Sequence, residues 1–370
     1  MQDDKGANLS AQKTPTPQPD KPGSQADWLA GASLSRQQLA ELEEKRKTPA
    51  QLAWDYFLIF SPLLCGLAAI LEYRLVPDAF TNEHPMTYFY LLVIMIAFYG
   101  LKLTWAFWQR SRNKRQAYQE LLYQAPRKAV LFLLLLAYDV LTLKTGILTQ
   151  PFIPPINQIM NIAWIDRDMI ILSSLHTLRL LMLGYVIGVA LGLITGIFCG
   201  YSPRFRYWLD PVIKFLGPIP TSTWIPIIMV ITSNLFGGSV FIIALGVWFA
   251  VTVATMTGIS NVDKSYFDVA RTLGAKESQL VFRVAIPSAM PNILQGMTQG
   301  MSSACTAIMI AEMMGVKAGL GWYITWAKAW AAYDKMFASL FVISLIFTAV
   351  TKLLQAFKNY VLRWQEGGIA

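Results

Sequence analysis

YFDVARTLGAKESQLVFRVAIPSAMP, residues 266–291, decides how this chain is read, because it is a charged, amphipathic stretch set between two long apolar runs. Its spacing predicts two short helices with Gly274 at the turn between them. Pro287 and Pro291 then stand at start positions of the next apolar run. A loop with helical pattern and a fixed turn is built to dock something. The plainer alternative is an amphipathic helix lying on a membrane surface.

The flanking runs explain why a membrane enters the argument. The 370 residues are 55% hydrophobic and 14% charged, against about 25% charged in soluble domains. A helix needs about 20 apolar residues to cross a bilayer, and eight runs meet that length: about 52–73, 88–108, 129–148, 174–200, 209–234, 239–258, 288–312 and 336–358. The net charge of +9 does not point to nucleic acid, since Lys and Arg cluster at the ends of these runs, where they meet anionic lipid. Lys45–Lys47, the group Arg110, Arg112, Lys114, Arg115, Arg127 and Lys128, and the pair Arg204 and Arg206 all fall on one side if both termini are cytoplasmic. The 259–287 loop falls there too. An all-α polytopic membrane protein is expected, with spans one and two as an accessory pair before a six-span core.

Residues 1–26 are too poor in large apolar groups to offset chain entropy, so disorder is expected. Ser35 and Gln38 have capping-box spacing for a short polar helix. The first long apolar run begins only near Leu52, which argues against a secretory leader. The expected organisation is a polar cytoplasmic tail over 1–50, the accessory pair and a basic linker over 51–128, the membrane core over 129–362 and a cytoplasmic tail over 363–370. The cysteines Cys65, Cys199 and Cys305 sit singly in apolar runs, and His84 and His176 are too few and too far apart for a metal site.

Two features inside the core bear on transport. Gly184, Gly188, Gly192, Gly196 and Gly200 recur every fourth residue, which strips one helix face of side chains and lets another backbone approach. In LGPIPTSTWIP, residues 216–226, Pro218, Pro220 and Pro226 remove backbone donors inside a span. Such breaks are tolerated in lipid mainly where they are buried or line a cavity. Thr221, Ser222, Thr223 and Trp224 would offer hydroxyls and an indole to a solute there; a locally satisfied proline kink is the alternative. Ionisable residues within spans are costly. Asp139, Lys144, Arg179 and Glu312 qualify, and paired structural charges are the plainer reading of them; Glu312 is also a candidate for the path, and Arg179 with His176 a candidate anion attractor at the outer mouth.

The 266–291 stretch resembles the EAA loop of binding-protein-dependent ABC importers. Asp268, Val269 and Ala270 stand at the Glu-Ala-Ala positions, Gly274 at the glycine, and Val284, Ile286 and Pro287 at the apolar-x-apolar-Pro ending. Asp for Glu shortens the acidic side chain by one methylene and keeps its charge. FIPPINQIM, LHTLRLLMLGYVIGVALG and LDPVIKFLGPIPTSTWIPI resemble the nitrate, sulfonate and taurine branch of these permeases, so the resemblance covers residues 129–362 and leaves 1–128 outside.

The resemblance implies a type I ABC importer permease in the bacterial inner membrane. Its coupling residues would be Asp268, Ala270, Arg271, Leu273, Gly274, Ala275, Leu280 and Pro287. Its partners would be two copies of an ATPase subunit, an extracytoplasmic solute-binding protein and a second permease copy, working by alternating access on a small anion. No G-x-x-x-x-G-K-[ST] occurs in the chain, so ATP and Mg would be used by the partner ATPase, and neither a bound cofactor nor an enzymatic activity is expected here. Another small nutrient as cargo, or an exporter, is the alternative. An intramembrane enzyme would need convergent acid, base or metal groups, which the spans lack.

Overall fold

The protein is described by a computed structural model covering residues 48–80, 85–111, 116–232, 234–314 and 316–366. The tail expected over 1–26, the helix expected near Ser35, and Lys45–Lys47, Arg112, Lys114 and Arg115 lie outside those residues, as does the end of the 363–370 tail. No strand occurs among the described residues. The chain begins with α1, Pro49–Leu75, α2, Pro85–Ser111, and α3, Gln116–Asp139, which runs on into a wide π turn, Val140–Lys144. Next come α4, Ile156–Ile165, and the long α5, Arg167–Tyr201. A bent stretch then holds α6, Pro203–Leu216, a 3-10 turn, Thr221–Trp224, and α7, Ile225–Ile231. After α8, Leu235–Ser260, the amphipathic loop contains α9, Lys264–Thr272, α10, Glu277–Gln279, and a second π turn, Leu280–Ala285. The chain ends with α11, Ile286–Met314, α12, Leu320–Ala329, α13, Tyr333–Val361, and a last turn, Arg363–Glu366.

Local chemistry places the breaks between helices. The Ser202 hydroxyl accepts the Phe205 N–H and Pro203 opens α6, while Asn234 Oδ1 accepts the Phe236 N–H at 3.1 Å to start α8.

Of the eight expected spans, five are helices long and apolar enough to cross a membrane: α1, residues 86–110 of α2, α5, α8 and α13. The run expected over 209–234 is not straight. It bends by 85° between α6 and the 221–231 pair, where Pro218 and Pro220 withdraw backbone donors. The third and seventh runs are helices of sufficient length but too polar by composition alone. Glu120, Arg127 and Lys128 occupy the first half of α3, and Gln295 and Gln299 lie in α11.

Internal contacts divide the chain into residues 1–67 with 96–132, and residues 68–95 with 133–370. The first unit packs Ile59, Tyr99, Leu103, Tyr118 and Leu121 together, and the buried Tyr99 hydroxyl donates to the Ile59 carbonyl at 2.7 Å. This differs from the linear division at residue 128, because residues 68–95 group with the later chain. Lys144 shows why. Its ammonium donates to the carbonyls of Tyr73 (3.1 Å) and Val76 (2.7 Å) and pairs with Asp78 at 2.5 Å, while the Tyr88 hydroxyl donates to the Leu135 carbonyl.

The core of the second unit lies between α5, α8 and α11, where Leu180, Leu181, Ile242, Val247, Met301 and Ile308 are almost fully buried. The five glycines of α5 form one seam against α8. A Cβ at Gly184, Gly188, Gly192, Gly196 or Gly200 would lie 2.6–2.8 Å from Ile243, Val247, Val251, Thr255 or Ile259 respectively. Both helices repeat every four residues, so the contact stays in register along its length.

Candidate functional site

The 3-10 turn, α8 and α11 surround an open cavity of about 710 Å³. Pro218 and Pro220 stop α6 from continuing, and the turn Thr221–Trp224 brings Thr221 and Trp224 to the wall. Gly246 of α8 is what lets the polar groups converge. A Cβ there would lie 2.7 Å from Ser303 Oγ and 3.2 Å from Thr221 Oγ1, so both hydroxyls sit over the bare backbone of α8.

The opposite wall is a stripe on α11 formed by Gln295, Gln299, Ser302, Ser303 and Thr306. Spacings of three and four residues put these side chains on one helix face. Gln295, Gln299, Ser302 and Thr306 are exposed. Among the described lining residues none carries a charge.

Of the path candidates, Pro220, Thr221 and Trp224 line this cavity, while Pro218, Ser222 and Thr223 are not on its wall. Glu312 is elsewhere. Its side chain is buried and caps α12: Oε2 accepts the Gly321 N–H at 2.8 Å and the Thr177 hydroxyl at 3.1 Å, and Thr177 Oγ1 accepts the Leu320 N–H. Gly319, at φ +109°, lies against this carboxylate, leaving no room for a side chain. The α11 stripe was missed in the sequence, although its period of three and four polar residues in a membrane-length helix was a usable signal.

The charged residues singled out inside spans also separate. Lys144 is the clamp described above, and Asp139 is buried beside Glu72 of α1. The Arg179 guanidinium stacks 5.7 Å from the Phe236 ring centroid, His176 is exposed, and neither reaches the cavity.

The 264–285 loop forms the second candidate site. Asp263 caps α9 by accepting the Ser265 N–H at 2.9 Å, and that bond holds its carboxyl below the usual aspartate range. Gly274 ends the helix at φ +78°, a conformation that costs a side-chain-bearing residue about 1 kcal/mol or more. Arg271 bridges Asp268 (3.7 Å) and Glu277 (3.8 Å), and the Tyr201 hydroxyl at the end of α5 donates to Glu277. The Lys276 N–H is accepted by Gln279 Oε1 at 2.8 Å.

The second expected loop helix is a single short turn. After α10 the chain widens into the π turn Leu280–Ala285 and runs without a break into α11. The wide turn accommodates Pro287, which lacks a donor and crowds the carbonyl four residues back, and Pro291 lies inside the helix rather than at its start. Leu280 is fully buried and packs the loop from within. Tyr266, Val269, Leu273 and Phe282 are 60%, 59%, 82% and 69% exposed. Asp268 is exposed among them, Ala270 and Ala275 are half-buried, and Pro287 is exposed.

Residues 188–366 match the family described as "Binding-protein-dependent transport system inner membrane component". A protein of Bacillus subtilis (strain 168) named "Putative aliphatic sulfonates transport permease protein SsuC" is 36% identical over 107 residues, 29% of this chain and 39% of that one. The "Nitrate import permease protein NrtB" of Synechococcus elongatus is 27% identical over 117 residues, 32% of this chain and 42% of that one. The matched part thus spans about two-fifths of the length of these relatives. A solved structure titled "Crystal structure of an amino acid ABC transporter with histidines" aligns with a TM-score of 0.46 at 19% identity, over 55% of this chain and 97% of that one.

Proposed function

We propose that this chain, whose residues 188–366 match the family of binding-protein-dependent transport system inner membrane components, is the permease subunit of an ATP-driven uptake system. Its cavity is part of the solute path, and its 264–285 loop receives a separate ATPase. The observation that carries this reading is continuity: the loop that exposes Leu273 and Phe282 runs through the π turn directly into α11, whose polar stripe walls the cavity. Displacing the loop moves one wall of the cavity.

The loop has the anatomy of an interface centre. Exposed apolar side chains at Tyr266, Val269, Leu273 and Phe282 are rimmed by the charges of Asp268, Arg271 and Glu277. Two ATPase copies would dock on two permease copies, with both termini cytoplasmic, and closure of the ATPases would rotate α11 through the loop. An extracytoplasmic binding protein would load the opposite side, and the cavity would alternate its access. Asp268, Arg271, Leu273 and Gly274 form the surface of the docking site, with Leu280 shaping it from beneath. The cargo is a small oxyanion of the nitrate, sulfonate or taurine type. The names of the matched relatives support that choice, and so does the wall of Thr221, Gln295, Gln299 and Ser303, which offers neutral N–H and O–H donors and no carboxylate to repel an anion.

Co-purification tests the proposal. Tagged chain extracted in mild detergent is expected to bring down an ATPase subunit, and Gly274→Trp is expected to lose it. A Cβ at Gly274 meets nothing within 4 Å, so the added indole projects into the partner's space rather than into the chain's own core. Wild-type chain that brings down no ATPase overturns the reading.

A further inference from the structure

The cavity wall carries no charge, yet one cation reaches it indirectly. The Lys358 ammonium of α13 donates to Gln295 Oε1 at 2.6 Å, and Gln295 lines the cavity on α11. An ammonium has three donors and no acceptor, so it can pair only with the amide oxygen of a glutamine. That fixes which way round the amide sits: the oxygen faces Lys358, and the –NH2 group is turned away from it. Gln299 lies four residues on, on the same face. The same contact sets a fixed positive charge one side chain away from a wall of neutral donors.

We propose that Lys358, acting through Gln295, is the charge-selecting residue of this cavity. It makes the potential at the α11 wall positive and turns Gln295 into a donor toward anionic solute, without itself lining the cavity. The inference takes its meaning from the transport reading but is measured independently of it. Lys352, further back on α13, shares a separate open pocket with Ser302 and does not line this cavity either. A cation placed in the cavity would lose hydration with no carboxylate on the wall to replace it. An oxyanion would meet amide and hydroxyl donors and an ammonium behind them.

Probes of opposite charge read this potential directly. In full-length Ser303→Cys protein, modification of residue 303 by anionic sulfonatoethyl and cationic trimethylammonioethyl methanethiosulfonate is followed by peptide mass spectrometry, which separates it from Cys65, Cys199 and Cys305. The ratio of the anionic to the cationic rate is expected to fall about three-fold at low salt in Lys358→Gln, the scale for losing one unit charge about 12 Å away in water, since residue 303 stands eight residues along α11 from Gln295. Lys358→Arg is expected to keep the ratio. Gln295→Glu, which leaves Lys358 in place and neutralises it, is expected to lower the ratio as Lys358→Gln does. A ratio unchanged in Lys358→Gln or in Gln295→Glu, or an arginine that behaves like glutamine, overturns the proposal. The reagents need no ATPase, so failed co-purification and an unchanged ratio are separate results that sink separate claims.

Discussion

The α5–α8 seam and the 264–285 loop are opposite solutions to the placing of apolar groups. In the seam each glycine of α5 is covered by a named residue of α8, and the carbonyls of Val240, Ala244, Trp248, Thr252 and Met256 also lie 2.7–3.2 Å from where a Cβ would stand. Nothing there is left for a partner. In the loop, Leu273 and Phe282 are 82% and 69% exposed, and the polar contacts that hold the backbone, Asp263 to Ser265 and Lys276 to Gln279, are all local. The seam is therefore spent on the chain's own packing, and the loop, on the proposed reading, serves recognition. Mutations should separate the two.

The largest effect is expected in the seam. Gly188→Val places a Cβ 2.6 Å from Val247 Cβ and 2.7 Å from the Ala244 carbonyl, neither of which is the movable end of a flexible chain. Overpacking against backbone costs about 3 kcal/mol, the upper end of its usual range, enough to remove much of a membrane protein's folded yield. Gly100→Ala in α2, where a Cβ meets nothing within 4 Å, is the control and should melt within about 1 kcal/mol of wild type. Thermal unfolding in detergent compares them. Equal melting of the two variants would break the contrast.

Lys144 comes next, and it extends the seam's logic to a polar contact. Three donors meet three acceptors inside one unit, with 2% of the lysine side chain exposed. Lys144→Met takes one donor from the Asp78 carboxylate and one from each of two carbonyls. Since Asp78 keeps 28% of its side chain exposed, the loss should be about 2–3 kcal/mol, below the range for a fully buried pair. Melting of Lys144→Met against wild type measures it, and a difference under about 0.5 kcal/mol would mean that water already serves those groups.

How far these regions could be read from the chain follows from the kind of signal each leaves. A glycine every fourth residue and a Pro-x-Pro break are periodic or local, so the α5 face and the 85° bend were both legible. The helices and turn of the 264–285 loop were legible as pattern, but not the burial of Leu280, because a π turn shifts the face by a fraction of a turn that a regular 3.6-residue reading does not allow for. Glu312 was misplaced for a different reason. A carboxylate inside a span looks the same in sequence whether it faces a solute or caps a helix, and only the return of Thr177 and Gly321 through space decides for the cap. The α11 stripe leaves a weaker signal: its glutamines and hydroxyls recur at three and four residues but stand among apolar neighbours that dominate the span. The division near residue 67 depends on Lys144 reaching back across some seventy residues, which no local window sees.

In the loop, substitutions should move binding and leave melting unchanged. Leu273→Asp puts a charge at the centre of the exposed apolar group without touching the chain's own packing. Loss of about 2 kcal/mol of partner binding is expected, roughly a thirty-fold weaker complex, with a melting temperature in detergent within about 1 °C of wild type. Titration of purified permease with its co-purified ATPase reads the first quantity. A variant that binds normally would move recognition away from Leu273, and one that melts early would erase the distinction between loop and seam.

The smallest effect tests whether a contact made by the chain with itself can still respond to solution conditions. Asp166, between α4 and α5, accepts hydrogen bonds from Lys335 and from the Tyr323 hydroxyl, both at 2.6 Å. Partial burial raises its carboxyl's pKa, but the bonds from Lys335 and Tyr323 outweigh burial and hold it below the ordinary aspartate value. A depressed folded value means that the carboxylate's contribution is complete above the unfolded pKa, near about 4, and fades as pH falls through the folded one. Wild type should therefore exceed Asp166→Asn by a constant margin from pH 5 to 8, about 0.5–1 kcal/mol after screening by water, and the margin should shrink toward pH 3. Paired melting curves at pH 7, 5 and 3 measure it. A margin that widened on acidification would reverse the sign of the linkage and show that the contact forms best with Asp166 protonated, as a hydrogen-bond donor rather than an ion-pair partner.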